Sequence, residues 1–246
     1  MSLRLRTLDF VFNMRFAIIS DIHSNLEALT TALKLIDAQS VDEIVCLGDI
    51  VGYGANPNEC IVLIRERCSI VVKGNHDAAA LDLSVADGFS QNARIAAQWT
   101  AKSLSPESKN FLMKLPLTAT KDDALFVHAS PVDPPEWNYI FSVFDAIEAF
   151  KAFPQRICFI GHSHAPGVFS EKGKMDHITK DDRFIINVGS IGQPRDGNPL
   201  LSFGIFDTVA WSYKNFRGDY NRATAAEKIM NAGLPRALAE RLYEGF

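Results

Sequence analysis

Short apolar runs recur along the chain, separated by polar stretches that carry helical spacing. The runs FAIIS (16–20), EIVCLG (43–48), IVVKG (70–74), ALFV (124–127), ICFIG (157–161), FIINVG (184–189) and LSFGIFD (201–207) each have strand length. Helix-like segments bound the first three, and this alternation predicts βαβ units with a sheet buried on both faces. Ser24-Asn25-Leu26-Glu27 reads as a capping box, after which Leu26, Leu29, Leu33 and Ile36 recur at helical spacing. Asn56-Pro57-Asn58-Glu59 reads as a second cap, with proline at the first helical position. Further helices are predicted over 90–103, 106–114, 142–151, 222–231 and 235–244, the last two split at Gly233-Leu234-Pro235. LSFGIFDT followed by AWSYKNF predicts a hairpin. No repeat, low-complexity stretch or linker interrupts the pattern, so one α/β domain is expected over residues 14–246. Residues 1–13, MSLRLRTLDFVFN, are expected to be a disordered or artefactual extension.

Composition narrows the class of partner. The 246 residues are 47% hydrophobic and 22% charged, ordinary for a protein with a real core. A net charge of −4 argues against a broad nucleic-acid surface and favours a small-molecule or peptide partner. No apolar run reaches the roughly 18 residues that span a bilayer. The first residues lack the sustained apolar core of a secretory signal, so a cytoplasmic protein is expected. The four cysteines show no CxxC spacing, and Cys46 and Cys158 sit inside apolar runs. They read as small buried hydrophobes in a reducing compartment.

The histidines carry the chemistry. Five of the six (His23, His76, His128, His162 and His164) fall at or just past the end of an apolar run. Asp21, Asp49 and Asn75 occupy equivalent points. Carboxyl ends of parallel strands open onto one crevice, which would gather Asp21, His23, Asp49, Asn75, His128, His162 and His164. Gly48, Gly74 and Gly161 precede three of these groups and would permit sharp turns out of the strands. Each fragment alone is weak evidence: Asp21-Ile22-His23 could be a cap and a turn, and Gly48-Asp49 a common strand exit. Gly161-His162-Ser163-His164 is the most specific fragment, and the ordered combination leaves a purely structural explanation little room. His177, in a charged stretch, is expected to face solvent.

Mixed oxygen and imidazole ligands without thiolate suit Mn, Fe, Co, Ni or Zn in a catalytic site better than structural zinc. Seven ligands exceed the needs of one ion, whereas two divalent ions sharing one carboxylate would use them all. Such a pair, roughly 3.5–4 Å apart, can hold a bridging hydroxide and clamp phosphoryl oxygens. With only two carboxylates the site keeps positive charge, so an anionic phosphate ester is the natural substrate.

These residues resemble the five ordered motifs of the calcineurin-like metallophosphoesterases: Asp21-x-His23, Gly48-Asp49, Gly74-Asn75-His76-Asp77, His128 and Gly161-His162-x-His164. The resemblance runs from about residue 14 to 208. It implies a four-layer αββα sandwich in which two mixed β-sheets pack together with helices outside. It assigns Asp21, His23 and His164 to one metal and Asn75, His128 and His162 to the other, with Asp49 bridging both. His76 would contact the phosphate and assist the leaving group, a role for which a near-neutral histidine is well placed. Asp77 would either orient His76 or cap the next helix.

One departure matters. The protein serine/threonine phosphatases of this superfamily carry GDxVDRG, whereas this chain has Gly48-Asp49-Ile50-Val51-Gly52-Tyr53-Gly54. The aspartate that supports the acid histidine and the phosphate-binding arginine are thus replaced by Gly52 and Tyr53. The pattern is closer to the small prokaryotic phosphodiesterase-like members. A substrate arginine could come from the glycine-rich stretch 187–197, where Arg195 either binds phosphate or pairs with Asp196. Tyr53 either covers the phosphate or packs. The proline-rich loop from Ser130 to Tyr139 either walls the pocket or is a stiffened surface loop.

The expected activity is therefore dinuclear hydrolysis of a small phosphate ester, a phosphodiester or a nucleotide. Dinucleoside polyphosphate hydrolysis, phosphomonoester or protein phosphatase activity, and a catalytically silent scaffold are the alternatives. Retention of His76 and all seven ligands argues against the scaffold.

Overall fold

Two five-stranded mixed sheets face each other at the centre of the computed structural model, which describes residues 14–173 and 177–246. The expected extension over 1–13 lies outside the described residues. The chain begins with β1 (Arg15–Ile19), α1 (Leu26–Asp37), β2 (Glu43–Cys46), α2 (Pro57–Arg67) and β3 (Ile70–Val71). A helical excursion follows through α3 (Asn75–Ala79), α4 (Gln91–Ser103) and α5 (Pro106–Met113). The second sheet then forms from β4 (Thr118–Lys121), β5 (Ala124–Val127), β6 (Ile157–Ile160), β7 (Gly167–Ser170) and β8 (Phe184–Asn187), with α6 (Val143–Ala149) between β5 and β6. The chain returns to the first sheet as the hairpin β9 (Leu201–Asp207) and β10 (Ser212–Gly218), and ends in α7 (Arg222–Asn231) and α8 (Arg236–Glu244).

Strand order is β10-β9-β1-β2-β3 in one sheet and β4-β5-β6-β8-β7 in the other. The central pairs β1–β2, β2–β3, β5–β6 and β6–β8 are parallel, while β9, β10, β4 and β7 run antiparallel to their neighbours. Successive side chains of a strand point to opposite faces, and both faces here are covered. Phe16 and Ile18 of β1 therefore join Phe126, Phe159, Phe184 and Ile186 in the core between the sheets. Their neighbours Ala17 and Ile19 face the other way, against Leu29, Leu33 and Ile36 of α1 and Leu238 and Leu242 of α8. Leu125, Val127 and Ile160 turn outward onto Ala146 and Ala149 of α6. The result is helix, sheet, sheet, helix.

Every apolar run read as a strand is one, and the four-layer sandwich is the one the motifs implied. The differences lie at edges and ends. β4 and β7 escape sequence reading because edge strands keep one side open: Thr118–Lys121 alternates exposed and half-buried, and only Ser170 of β7 is buried. The N-cap of α1 is Asn25 and not Ser24, with its side chain accepting from the Ala28 N–H at 3.1 Å. Asn56 does precede α2, but its amide donates to Glu59 at 2.9 Å instead of capping the backbone. The helix expected over 142–151 ends at Ala149 and tightens into a 3₁₀ turn at Phe150–Ala152. His177 is exposed, as expected.

Candidate metal centre

The carboxyl ends of five strands meet at one end of the sandwich. Asp21 and His23 follow β1, Asp49 follows β2, Asn75 follows β3, His128 follows β5, and His162 and His164 follow β6. All seven side chains are buried. Their ligand-type atoms form two groups, one of Asp21, His23, Asp49 and His164, the other of Asp49, His128 and His162. Atoms within each group lie within 4.8 Å of one another, and Asp49 belongs to both. Asn75 joins the second, its Oδ1 3.1 Å from His128 Nε2. The structure thus brings together all seven residues that the sequence singled out.

Holding them there costs backbone strain. Asp21, His23, Asp49, Tyr53, His162 and His164 are all left-handed, with φ between 49° and 65°. They make up half of the twelve non-glycine residues in that region among the described residues. Such strain persists only where the surroundings enforce it, and it gathers at functional sites. The two sheets also approach very closely here. A Cβ on Gly161 would stand 2.0 Å from Ser20 Oγ and 2.5 Å from Asp21 Oδ2, so close approach, not a special turn, demands that glycine.

The hydrogen bonds fix which nitrogens face inward. His23 Nδ1 donates to the Val51 carbonyl at 3.1 Å, and His164 Nδ1 donates to the Gln193 carbonyl at 2.5 Å. In a neutral imidazole this leaves the lone pair on Nε2. The two Nε2 atoms nevertheless face each other at 3.0 Å. Asp21 Oδ1 and Asp49 Oδ2 are buried beside them without a hydrogen bond, as is His162 Nε2. Lone pairs converging on lone pairs fit a cation, and ring protons held by backbone carbonyls are how metal-binding histidines are oriented. The donor set fits divalent metal.

Burial keeps three of the four ligand rings neutral, the form that binds metal, and His128 departs from them. Burial holds His23 and His164 below the ordinary histidine range, helped at His23 by the facing His164 ring and at His164 by Arg195, and pushes His162 down to about 3. Burial would raise the carboxyl groups of Asp21 and Asp49, but the facing imidazoles reverse this and hold both well below the usual range. Burial also opposes charge on His128, yet the Asp49 carboxylate outweighs it and pushes that ring up to about 9.

His76 sits beside the cluster on the cleft wall. Its ring lies 5.0 Å from that of His23, 4.5 Å from that of Tyr53 and 4.7 Å from that of Phe89. Burial pushes it down to about 4. Gly52 supplies part of the reason. A Cβ at Gly52 would fall 2.6 Å from His76 Nδ1, and that nitrogen has no hydrogen-bond partner. The carboxylate that supports this histidine in the protein phosphatases is replaced by glycine, and the ring closes into the space. Asp77 does not take over. Its Oδ1 accepts from the N–H groups of Ile50 and Val51, and its Oδ2 accepts from that of Gly74. It therefore caps α3 and braces the Asp49 loop, while no hydrogen bond joins it to His76.

A cleft of about 490 Å³ opens over Asn75, His76 and His162. Tyr53 and Arg195 line it, as do Trp137 and Tyr139, so the proline-rich loop is a pocket wall. The Tyr139 ring stacks on His162 at 3.9 Å. Tyr53 packs against His23 at 4.7 Å and accepts a hydrogen bond from Arg195 at 3.3 Å. Asp196 pairs with Arg217, leaving Arg195 turned to the cleft. Among the lining residues that sequence reading missed are Phe89, which follows a 3₁₀ turn, and Arg241 of α8. Arg241 has no local motif, because a helix elsewhere in the chain brings it here.

Comparison with known proteins agrees with the geometry. Residues 14–210 match the calcineurin-like phosphoesterase superfamily domain. An uncharacterized protein of Methanocaldococcus jannaschii is 42% identical over 239 residues, covering 93% of this chain and 97% of its own. The crystal structure of a metallophosphoesterase from Sphaerobacter thermophilus superposes with a TM-score of 0.85 at 39% identity, covering 95% of this chain and all of that one. A hypothetical protein from Pyrococcus horikoshii shares the fold, with a TM-score of 0.82 at 19% identity over 94% of this chain and 98% of its own. With its five strand-end motifs in order and its Asp/His cluster buried at one end of the sandwich, the chain belongs to the calcineurin-like phosphoesterase superfamily.

Proposed function

We propose that this protein is a dinuclear metal-dependent phosphoesterase acting on a small phosphate ester, a phosphodiester or a nucleotide. The observation that carries the reading is Asp49, the one carboxylate common to both ligand groups. Asp21, His23 and His164 would hold one divalent ion, Asn75, His128 and His162 the other, and Asp49 both. Mn, Fe, Co, Ni and Zn all suit this donor set. When bound, such a pair acidifies a water molecule and neutralises the phosphoryl oxygens of an in-line displacement.

The chain's own groups do the rest. His76, neutral at pH 7, donates a ring N–H to a phosphoryl oxygen from the cleft wall. Arg195 and Tyr53 contact the anionic part of the substrate, the guanidinium by paired hydrogen bonds. Trp137, on the cleft wall, offers an apolar face to an aromatic leaving group such as a nucleobase, while Tyr139, stacked on His162 and Phe141, walls the cleft. Asp77 holds the Asp49 loop in its strained conformation. Residues 14–246 act as one unit, since α7 and α8 share a core with α1 and β9. Four unpaired cysteines support a reducing, cytoplasmic setting, and no described helix is long and apolar enough to cross a membrane.

The test is an assay of metal-reconstituted protein on matched nitrophenyl mono- and diesters, followed by a nucleotide panel. The diester should be turned over faster, and chelation should abolish turnover until metal is restored. Failure on every ester with both ions bound would leave a catalytically silent scaffold.

A further inference from the structure

Two arginines converge on one tyrosine without a counter-ion. The guanidinium centres of Arg195 and Arg241 lie 5.7 Å and 6.0 Å from the centroid of the Tyr53 ring. Both donate to Gln193 Oε1, at 2.9 Å and 3.3 Å. Neither is in an ion pair with a carboxylate among the described residues: Asp196 is taken by Arg217, and Glu136, which also lines the cleft, pairs with neither. Arg195 Nε is buried and donates to nothing. Burial, and then the charge of Arg195, pull Arg241 below its ordinary value.

Two half-buried guanidinium groups sharing one neutral acceptor repel each other and forgo charge-assisted hydrogen bonds. An anion between them would relieve both costs. The planar fork of arginine matches phosphate in two-point contact. The pair also stands next to the metal-ligand cluster and not inside it, because the Tyr53 ring that it touches itself contacts His23 and His76. Once two dications are bound, the carboxylates of Asp21 and Asp49 leave positive charge to spare. One phosphodiester anion does not offset that charge and two guanidinium groups as well.

Resting on the phosphoesterase reading above, we propose that Arg195 and Arg241 form a second anion subsite that holds a non-reacting phosphoryl group. The substrate class is then an organic phosphate carrying a second phosphoryl group beside the one attacked. Arg241 is its specificity determinant. It lies beyond residues 14–210, so α8 adds this half of the subsite from outside the stretch that matches the family domain, while Arg195 lies within it.

AMP and ADP differ by one phosphoryl group and serve as probes. Their binding to the metal-loaded full chain is measured by calorimetry for wild type, Arg241→Ala and Arg241→Lys, with nitrophenyl diester turnover measured in parallel. Wild type should bind ADP about 10–100-fold more tightly than AMP, the scale of one or two charge-assisted hydrogen bonds. Arg241→Ala should bring the ratio close to one, and Arg241→Lys should fall between, keeping charge but losing the fork. Should Arg241→Ala melt early, Arg241→Met keeps the stem and takes its place. A wild-type ratio near one, or a ratio unchanged in a well-folded variant, overturns the subsite. Diester turnover with no ADP preference defeats this inference alone, whereas ADP preference without turnover of any ester defeats the phosphoesterase reading.

Discussion

The Nε2 atoms of His23 and His164 stand 3.0 Å apart with no proton to share. Each ring directs its Nδ1 proton at a carbonyl, Val51 for His23 and Gln193 for His164. Asp21 Oδ1 is 3.2 Å from one of these nitrogens, and Asp49 Oδ2 is 3.6 Å from the other. Four electron-rich atoms are thus forced together by backbone contacts made elsewhere.

The first prediction follows from that repulsion. Chelation should lower the melting temperature, and Mn²⁺ or Zn²⁺ should restore it. At a free ion concentration a hundred times Kd, one site adds about 2.7 kcal/mol. Scanning calorimetry with elemental analysis is the check; a melting temperature indifferent to chelation would contradict the metal centre.

Asp49→Asn should cost both ions, because the shared carboxylate is gone. His164→Ala should cost mainly one, since His164 belongs to only one ligand group. Metal content per chain decides the matter, and Asp49→Asn protein still holding two ions would refute the bridging assignment.

His76→Ala should leave metal content intact and lower turnover by about 10²–10³-fold, the scale for one donor to a developing anion. Unimpaired turnover would remove His76 from the mechanism.

Gly52→Ala should reproduce much of that loss without touching a ligand. Its φ of 96° strains any side chain, and the added methyl would meet His76 Nδ1 at 2.6 Å. Destabilisation of about 1–2 kcal/mol is expected from the backbone alone. The result to look for is lowered turnover with both ions retained; wild-type turnover would show that the His76 position is not critical.

Asp77→Ala tests bracing against orientation. Removing the acceptor of three buried N–H groups should lower stability by several kcal/mol, at about 1–3 kcal/mol for each donor stranded. Metal affinity should fall with it, as the Asp49 loop relaxes. A variant with normal melting temperature and metal content but poor turnover would favour the orienting role instead.

Much of this molecule was legible in the order of its residues. Buried strands announce themselves as short apolar runs because both of their faces are covered, as with Ala124–Val127 and Ile157–Ile160. The ligands are legible because polar, metal-binding residue types sit immediately after those runs, where a parallel sheet must deliver them to one end. Motif order adds the family and with it the two-sheet sandwich. What depends on contacts between distant segments was not legible. Edge strands β4 and β7 lack the covered face that writes an apolar signature. That Asp77 serves backbone groups 26 and 27 residues away, and not its neighbour His76, is decided by the packing of two loops. Arg241 reaches Gln193 across 48 positions, through a helix whose own sequence shows only an amphipathic pattern. Local spacing determines which face a side chain takes; only tertiary packing determines what waits on the other side of it.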